Sequence, residues 1–273
     1  MREDVTDGED TAMKICQIQM DMKLGDPVYN FARAELLIGK AACRQPDVIC
    51  LPETWNVGFF PRKGLAELAD RDGRAVRERI GGLARRFNVN LVAGSAAILR
   101  SDGGCVTNTA LVFDRAGDCV AEYDKVHLFT NMEEEKYFTA GARLCVFELD
   151  GVRCGLITCY DLRFVEWVRK TALAGIDILF VGAQWPASRL SHWRVLNRAR
   201  AIENQIFVAA TNSCGVAGET RYGGHSLLIH PLGDVLAEAG DAEEILETEI
   251  NLSELAGIRA EIPVFRDRRE KLY

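Results

Sequence analysis

Short apolar runs of strand length alternate along the chain with stretches in which apolar residues recur at helical spacing. The first pair is a predicted strand over residues 14–20 and a predicted helix over residues 30–43. Residues 47–51 then contain four consecutive apolar positions, a pattern typical of a strand buried on both faces, and Pro52 ends this run. The predicted order at the start of the fold is therefore strand, helix, strand.

The same two patterns continue to the end of the chain, with turn residues between the elements. In the predicted helix over residues 188–204, we expect four apolar side chains to face inward, namely Val195, Leu196, Ala199 and Ile202. The other predicted elements are helices over 74–87 and from 164 to about 173, strands over 89–99, 152–158, 176–181, 206–211 and 245–250, and hairpins that join 107–114 to 119–124 and 226–230 to 235–238.

The first residues of the chain differ in composition from the rest. Residues 1–12 are charged and have almost nothing to bury, so we predict a disordered acidic leader there. The remaining sequence has no Ser/Pro/Gly-rich linker, no low-complexity tract and no repeat of fixed period. The 273 residues, 48% of them hydrophobic, suffice for one large α/β domain or two smaller ones. Because no break is visible, we expect a single domain over residues 13–273.

Composition and charge narrow the class of partner. The formal net charge of −7 argues against nucleic acid and anionic membranes and favours a small molecule. No apolar run approaches the ~18 residues of a membrane span, and the N-terminus lacks a secretory signal, so we expect a cytoplasmic protein. The nine cysteines form no paired framework and no zinc-binding spacing. We therefore expect no disulfide, no metal and no cofactor.

Cys159 lies where a predicted strand, residues 152–158, passes into a predicted helix. A thiol at the first turn of a helix faces unpaired backbone amides and the positive end of the helix dipole, which favour the thiolate and make the sulfur more nucleophilic. The competing interpretation is an inert, buried thiol, which is the common role of a free cysteine. Position alone does not decide between a nucleophile and a packing residue.

Glu53 and Lys125 also follow predicted strands directly. Glu53 comes after the buried run 47–51, where a carboxylate serves either catalysis or a solvated cap. Lys125 ends a predicted hairpin beside apolar residues, where its charge needs a carboxylate partner if it is buried; an ordinary surface ion pair is the alternative. Groups at the strand ends of one sheet can converge in space, so Glu53, Lys125 and Cys159 are predicted to share a site.

Three segments carry a family resemblance when they are taken together in this order. They are Leu51-Pro52-Glu53, Tyr123-Asp124-Lys125-Val126-His127-Leu128-Phe129 and Cys159-Tyr160-Asp161-Leu162-Arg163-Phe164. They resemble the signature segments of the nitrilase superfamily of carbon-nitrogen hydrolases, and the resemblance covers about residues 13–273. It implies a four-layer αββα sandwich, a Glu-Lys-Cys triad made of Glu53, Lys125 and Cys159, and a homodimer formed across the helix after the catalytic cysteine.

The implied reaction is the hydrolysis of an amide through a thioester. Cys159 attacks the amide carbon, Glu53 moves the proton, and Lys125 with the backbone amide of Tyr160 stabilises the oxyanion. The family also has a second glutamate that orients substrate and water. Counting back from residues 138–141 assigns it to Glu134, although the adjacent Glu133 and Glu135 leave this assignment open by one position.

Within the superfamily, the segment around Cys159, together with Trp185-Pro186 and Ser191-His192-Trp193, is most similar to ω-amidase-like members. These deamidate short amides that bear a distal carboxylate. Arg163 is the first candidate to bind that anion, with a structural salt bridge as its alternative, and Trp185 is a candidate pocket wall.

Other functions remain open. N-carbamoyl amino acid hydrolysis and aliphatic amidase activity use the same triad, and nitrile hydrolysis is less favoured. A non-catalytic scaffold would fit if a triad residue were missing, and none is. A Cys-His thiol hydrolase needs a histidine base, which none of the four scattered histidines supplies by pattern.

Overall fold

The computed structural model describes residues 12–59 and 61–272, and the elements named below lie in those ranges. The strands are β1 (Ala12–Gln19), β2 (Val48–Cys50), β3 (Asp70–Arg71), β4 (Asn90–Leu99), β5 (Val106–Phe113), β6 (Cys119–Asp124), β7 (Cys145–Leu149), β8 (Val152–Thr158), β9 (Ile178–Ala183), β10 (Phe207–Asn212), β11 (Val216–Ala217), β12 (Thr220–Arg221), β13 (Leu227–Ile229), β14 (Val235–Glu238) and β15 (Glu244–Asn251). The α-helices are α1 (Pro27–Ala42), α2 (Leu65–Leu68), α3 (Gly82–Phe87), α4 (Val165–Ala172), α5 (Leu190–Asn204) and α6 (Glu254–Glu261), and a π-helical turn, Val76–Gly81, leads into α3.

Two mixed sheets form the centre of the fold. The first has the order β15-β1-β2-β4-β5-β6, with β3 beside β4, and the second has the order β14-β13-β10-β9-β8-β7. Each sheet has a parallel centre, β1-β2-β4 in the first and β8-β9-β10 in the second, flanked by antiparallel strands. The carboxyl ends of parallel strands gather loops at one edge of a sheet, where sites commonly form.

Three apolar cores separate four layers. One core joins the outer face of the first sheet to α1 and α3, and includes Phe31 and Trp55. A second core lies between the two sheets, with Ile15 from the first and Phe180 from the second. The third joins the outer face of the second sheet to α5 and includes Trp193. The predicted αββα sandwich is therefore confirmed.

The start of β1 corrects the predicted leader by one residue. Ala12, assigned to the leader, is the first residue of β1 and pairs with Asn251 of β15. The rest of the predicted leader lies outside the described residues.

The prediction for the inward face of α5 is confirmed for Leu196, which packs against the third core, and is wrong for Val195 and Ile202. Val195 is 65% exposed and Ile202 is 50% exposed, while Trp193, Asn197 and Asn204 are buried instead. The buried asparagines are tolerated because their amide groups donate to backbone carbonyls one turn earlier, Asn197 to Trp193 O at 2.9 Å and Asn204 to Arg200 O at 2.9 Å. Polar residues can therefore face the core here, and apolar residues lie on the surface.

Within residues 12–59 and 61–272, no helix is both long enough and apolar enough to cross a membrane. The nine cysteines are free thiols.

Candidate active site

The ends of strands from both sheets bring the sequence-predicted residues together. Glu53 follows β2 and Lys125 follows β6 in the first sheet, while Cys159 follows β8 and Trp185 follows β9 in the second. Lys125, Cys159 and Trp185 line one pocket, and Glu53 is bonded to Lys125 beneath it. Glu53, Lys125 and Cys159 therefore meet as predicted, but from the strand ends of two facing sheets and not of one sheet as expected, and their catalytic roles stay predictions.

Lys125 joins two carboxylates in a closed cluster. Its Nζ atom donates to Glu53 Oε1 at 2.9 Å and to Glu134 Oε1 and Oε2 at 2.9 Å each. Glu53 and Glu134 have no exposed surface and Lys125 is 1% exposed. The surface ion pair considered for Lys125 is therefore excluded, because the lysine is buried with its partners.

The charge of Lys125 is held by its two neighbours. Burial on its own would lower the pKa of this ammonium, but the carboxylates of Glu134 and Glu53 outweigh burial and hold the pKa well above its ordinary value. The ammonium group of Lys125 accordingly keeps its positive charge inside the protein at neutral pH.

Of the three consecutive glutamates, only Glu134 faces the cluster. A single 3₁₀ turn, Glu134–Lys136, turns its side chain inward, where Glu134 Oε2 also accepts from the Phe129 backbone N–H at 2.7 Å. Glu133 instead pairs with Lys136 at the surface, and Glu135 is exposed. The geometry thus supports the position count that assigned the second glutamate to Glu134.

Glu53 also accepts hydrogen bonds from two residues that sequence reasoning did not assign to the site. Asn108 Nδ2 donates to Glu53 Oε1 at 2.9 Å, and the backbone N–H of Gln184 donates to Glu53 Oε2 at 2.9 Å. Gln184 Nε2 also donates to the backbone carbonyl of Glu53 at 2.8 Å. The carboxylate is therefore fixed in orientation by partners from β5 and from the end of β9.

Cys159 begins a 3₁₀ turn, Cys159–Arg163, and has a φ of +47°, which is the left-handed region that non-glycine residues seldom adopt. A capping box holds the turn: the Thr158 side chain accepts from the backbone of Asp161, and the Asp161 carboxylate accepts from the Thr158 N–H at 3.0 Å. The predicted junction of strand and helix is confirmed, with this turn inserted before α4.

The resting state of the thiol differs from the expectation. Burial raises the pKa of Cys159, the neighbouring Glu53 carboxylate raises it further, and the Lys125 ammonium lowers it by less, so the pKa lies well above the ordinary thiol value. The expectation of a thiolate favoured by the helix end is therefore wrong, because a single 3₁₀ turn supplies little dipole and an anion lies beside the sulfur. The resting sulfur is therefore a protonated thiol beside the Glu53 carboxylate.

Asp161 connects the turn of Cys159 to the segment that carries Lys125. Its buried carboxylate accepts from Tyr123 Oη at 2.7 Å and from the His127 backbone N–H at 2.9 Å, and His127 Nδ1 lies 2.7 Å away. Tyr123 and His127 flank Lys125 in the chain. Asp161 therefore fixes the turn of Cys159 and the segment of Lys125 relative to each other, a role that its place in the cysteine segment did not reveal.

No metal-binding group of three or more His, Cys, Asp and Glu side chains is present in the part of the chain that the structure describes. His127 is engaged with Asp161, and His225 contacts Glu238 and Asp241 at 2.7 and 2.9 Å. Neither histidine lines the pocket of Cys159.

The pocket above the cluster is small and largely aromatic at its walls. The space that the centre of a water-sized sphere can occupy in it is about 30 Å³. Its walls are Phe59, Phe129, Met132, Tyr160, Trp185 and Pro186, and its charged lining residues are Lys125, Glu134, Arg163 and Arg189. A pocket of this size suits a small molecule rather than a chain.

Arg163 lies at this pocket without the salt bridge that was its alternative role. Its guanidinium packs over the Trp185 ring at 4.7 Å, and its Nη2 lies 3.3 Å from His192 Nδ1. Among the described residues, no carboxylate lies within ion-pair distance of it. Burial lowers the pKa of Arg163, and the positive charge of Arg189 lowers it further.

A glycine in β4 allows the loop that follows β2 to pass close to β4 at the site. Gly94 has a φ of +56° within an irregularity of β4, and a Cβ added there would lie 1.9 Å from the carbonyl oxygen of Pro52. No other residue can adopt this position without moving the loop that carries Glu53.

Comparison with known proteins agrees with this geometry. Residues 14–260 match the family model described as carbon-nitrogen hydrolase. The chain is 44% identical to the 2-oxoglutaramate amidase of Bacillus subtilis (strain 168) over 256 residues, 94% of this chain and 97% of that protein. It is 34% identical to omega-amidase NIT2 of Homo sapiens over 271 residues, 96% of each.

A solved structure of a CN-hydrolase superfamily protein has the same fold as this chain. A CN-hydrolase superfamily protein from Xanthomonas campestris, with an arsenic adduct in its active site, superposes with a TM-score of 0.87 at 31% identity, covering 94% of this chain and 97% of that one. Sequence, fold and site geometry agree, and the chain belongs to the carbon-nitrogen hydrolase family.

Proposed function

We propose that this protein is an ω-amidase that hydrolyses the terminal amide of a dicarboxylic acid monoamide to ammonia and the dicarboxylate. As a carbon-nitrogen hydrolase with amidase relatives, it is an amide-hydrolysing enzyme. One observation carries the choice of substrate: the pocket of Cys159 ends in arginine side chains that have no carboxylate partner among the described residues. Relatives named 2-oxoglutaramate amidase and omega-amidase support the same substrate class.

In the proposed acylation, the Cys159 sulfur attacks the amide carbon and the thiol proton passes to Glu53. The C=O electron pair moves to the oxygen, where the Lys125 ammonium and the backbone N–H of Tyr160 stabilise the negative charge. When the intermediate collapses, the C–N bond breaks, Glu53 returns the proton to nitrogen, and ammonia leaves. The product of this half-reaction is a thioester on Cys159.

Deacylation uses the same groups in reverse. A water molecule oriented by Glu134 attacks the thioester carbon as Glu53 accepts one of its protons. The C–S bond then breaks, the proton returns to the sulfur of Cys159, and the carboxylic acid is released. The rigid bonds between Lys125 and both carboxylates support this scheme, because the cluster needs no rearrangement between the two halves.

In this proposal Arg163 contributes to binding the distal carboxylate, and Trp185 forms the wall on which its guanidinium lies. The test is ammonia release from 2-oxoglutaramate, succinamate, glutamine, N-carbamoyl amino acids and propionamide, with Cys159→Ala as the control. We expect the wild type to prefer the dicarboxylic monoamides. Turnover only of carbamoyl or uncharged amides would favour the N-carbamoyl amidohydrolase or aliphatic amidase alternatives and remove the proposed role of Arg163.

Two alternatives of other classes are tested by the same assay. A scaffold protein would release no ammonia from any amide. A Cys-His thiol hydrolase would lose activity in His225→Asn, whereas the proposed Glu53 base predicts that His225→Asn remains active on the preferred monoamide.

We also propose a homodimer in the cytoplasm. Apolar side chains are exposed on and beside α4 and α5, including Val165 (41%), Leu173 (42%), Val195 (65%) and Ile202 (50%), and burial against a second copy would remove them from water. Light scattering after size exclusion tests this, with Val195→Glu expected to shift the mass towards one chain. The free thiols support a reducing compartment, which cell fractionation tests.

A further inference from the structure

Arg189 is a charged wall of the Cys159 pocket that sequence reasoning did not single out. It ends a single 3₁₀ turn, Ala187–Arg189, directly before α5, and its backbone carbonyl accepts from Trp185 Nε1 at 2.8 Å. Its guanidinium lies 5.3 Å from the centre of the Phe129 ring. The backbone is thus tied to the pocket wall while the charged end faces an aromatic residue of the same pocket.

The charges of the pocket do not balance. Its two carboxylates, Glu53 and Glu134, are both bonded to Lys125, and their other oxygen sites accept from backbone or amide N–H groups. The guanidinium groups of Arg163 and Arg189 therefore add positive charge without a local anion. Their mutual repulsion contributes to lowering the pKa of Arg163, after burial itself. The two carboxylates of Glu53 and Glu134 face three cations, Lys125, Arg163 and Arg189. This leaves one surplus positive charge, which a single carboxylate of a ligand would neutralise.

The two arginines differ in the contacts they already make. Arg163 is engaged with His192 and lies on Trp185. Among the described residues, the guanidinium of Arg189 donates no hydrogen bond, so its N–H donors are available to a ligand. A guanidinium presents its donors as a planar fork that matches a carboxylate in two parallel bonds. An arginine already supported by an aromatic ring also loses less conformational freedom when it binds.

We propose that Arg189 is the specificity-determining residue of the site: its guanidinium binds the distal carboxylate of the substrate, and Arg163 supplies the second positive charge and the wall beneath it. This inference rests on the proposed function, since it names the side chain that selects the substrate class. It assigns to the turn before α5 a role in recognition, separate from the groups that break the amide bond.

The experiment compares glutaramate with valeramide, which differ only in a carboxylate against a methyl group. For each variant, kcat/KM is measured on both amides, and the ratio of the two values reports recognition of the carboxylate. Arg189→Gln is expected to lower this ratio by about 10- to 100-fold, the usual effect of removing a charged hydrogen-bond partner, mainly through KM. Arg189→Lys keeps the charge but loses the planar pair of donors. Its ratio is expected to lie between that of the wild type and that of Arg189→Gln.

Arg86→Gln is the matched control, because Arg86 also lies over a phenylalanine ring, Phe87 at 5.3 Å, but on the exposed surface of α3. It should keep the wild-type ratio. A wild-type ratio in Arg189→Gln, with a large loss in Arg163→Gln, would overturn the role of Arg189 and leave the proposed function standing. If the wild type itself favours valeramide, the proposed function fails, and the carboxylate subsite fails with it.

Discussion

The buried cluster around Lys125 and the two arginines of the same pocket differ in how their charges are paired. In the cluster, each charge has its partner: Lys125 bonds Glu53 and Glu134 at 2.9 Å, and all three are almost completely buried. At the pocket wall, Arg163 and Arg189 are half-buried and have no carboxylate partner in the part of the chain that the structure describes. The cluster is electrostatically complete without a ligand, and in our proposal the carboxylate of the substrate completes the pocket wall.

This difference separates catalysis from recognition. A fully bonded cluster is preorganised, so its charges need no reorientation in the transition state, which is where electrostatic catalysis gains most. Guanidinium groups without a carboxylate partner can form their ion pairs with a ligand, because no bond within the protein must break first. Substitutions in the two regions should therefore change different kinetic constants. Those in the cluster should lower kcat, and those at the arginines should raise KM.

The largest expected effect is loss of the nucleophile. Cys159→Ala removes the atom proposed to form the thioester, and activity should fall by at least about 10⁴-fold for charged and uncharged amides alike. The exposed Cys43→Ala is the control and should remain fully active. Steady-state ammonia release measures both. Residual turnover within tenfold of wild type would show that Cys159 is not the nucleophile.

A smaller effect is expected from breaking the cluster without removing the nucleophile. Glu134→Gln takes away a charge bonded to Lys125, and kcat should fall by about 10² to 10³-fold, as when one oriented polar group is removed from an active site. Glu133→Gln, one residue away but at the surface, should change kcat by less than twofold, because exposed ion pairs contribute little. Equal effects of the two changes would contradict the assignment of Glu134.

The pKa of Cys159 gives a third test. Burial and the adjacent Glu53 carboxylate raise this pKa above the ordinary value of 9.0, so the free thiolate fraction should grow about tenfold per pH unit between pH 7 and 9. Alkylation by iodoacetamide, followed by peptide mass spectrometry, should rise about 100-fold over that range. A rate that is already constant below pH 8 would mean that the resting sulfur is a thiolate.

The smallest effect concerns the arginines. Salt screens partly exposed charges much more than buried ones, and the screening length falls from about 10 Å at 0.1 M to about 3 Å at 1 M. Raising the salt concentration over this range should lower kcat/KM for glutaramate a few-fold and leave valeramide nearly unchanged. A parallel fall for both amides would place the salt effect in the catalytic cluster rather than at Arg163 and Arg189.

Much of the site was accessible from the sequence because strand ends are readable. Glu53 and Cys159 each follow an apolar run that forms a parallel strand, and Lys125 follows the second arm of a predicted hairpin, which is antiparallel β6 in the structure. The partners that orient them were not readable. Asn108 lies inside β5 and meets Glu53 only because β5 packs beside β4, so its contact is set by sheet order and not by local pattern.

The wrong sequence predictions have the same origin, because they also depend on contacts that form only in the folded chain. The face of α5 was partly misjudged because Asn197 and Asn204 are buried with their side-chain N–H groups bonded to carbonyls one turn earlier, which a division into apolar and polar residues does not register. The charge state of Cys159 was misjudged because its position at a helix start was visible in the sequence and its distance to Glu53 was not. Arg189 went unremarked because only the folded pocket shows that it has no carboxylate partner.

The pairing of β1 with β15 has a consequence for biosynthesis. β1 lies between β2 and β15 in the first sheet, and its pairing runs from Ala12 with Asn251 to Gln19 with Glu244. While the chain is being translated, this strand is made early and keeps one edge unpaired until the ribosome has delivered β15. Exposed strand edges invite association with other chains, and such long-range pairing is slow to form. We therefore expect nascent chains stopped before Glu244 to depend on chaperones, and amidase activity to appear only after release of nearly the whole chain.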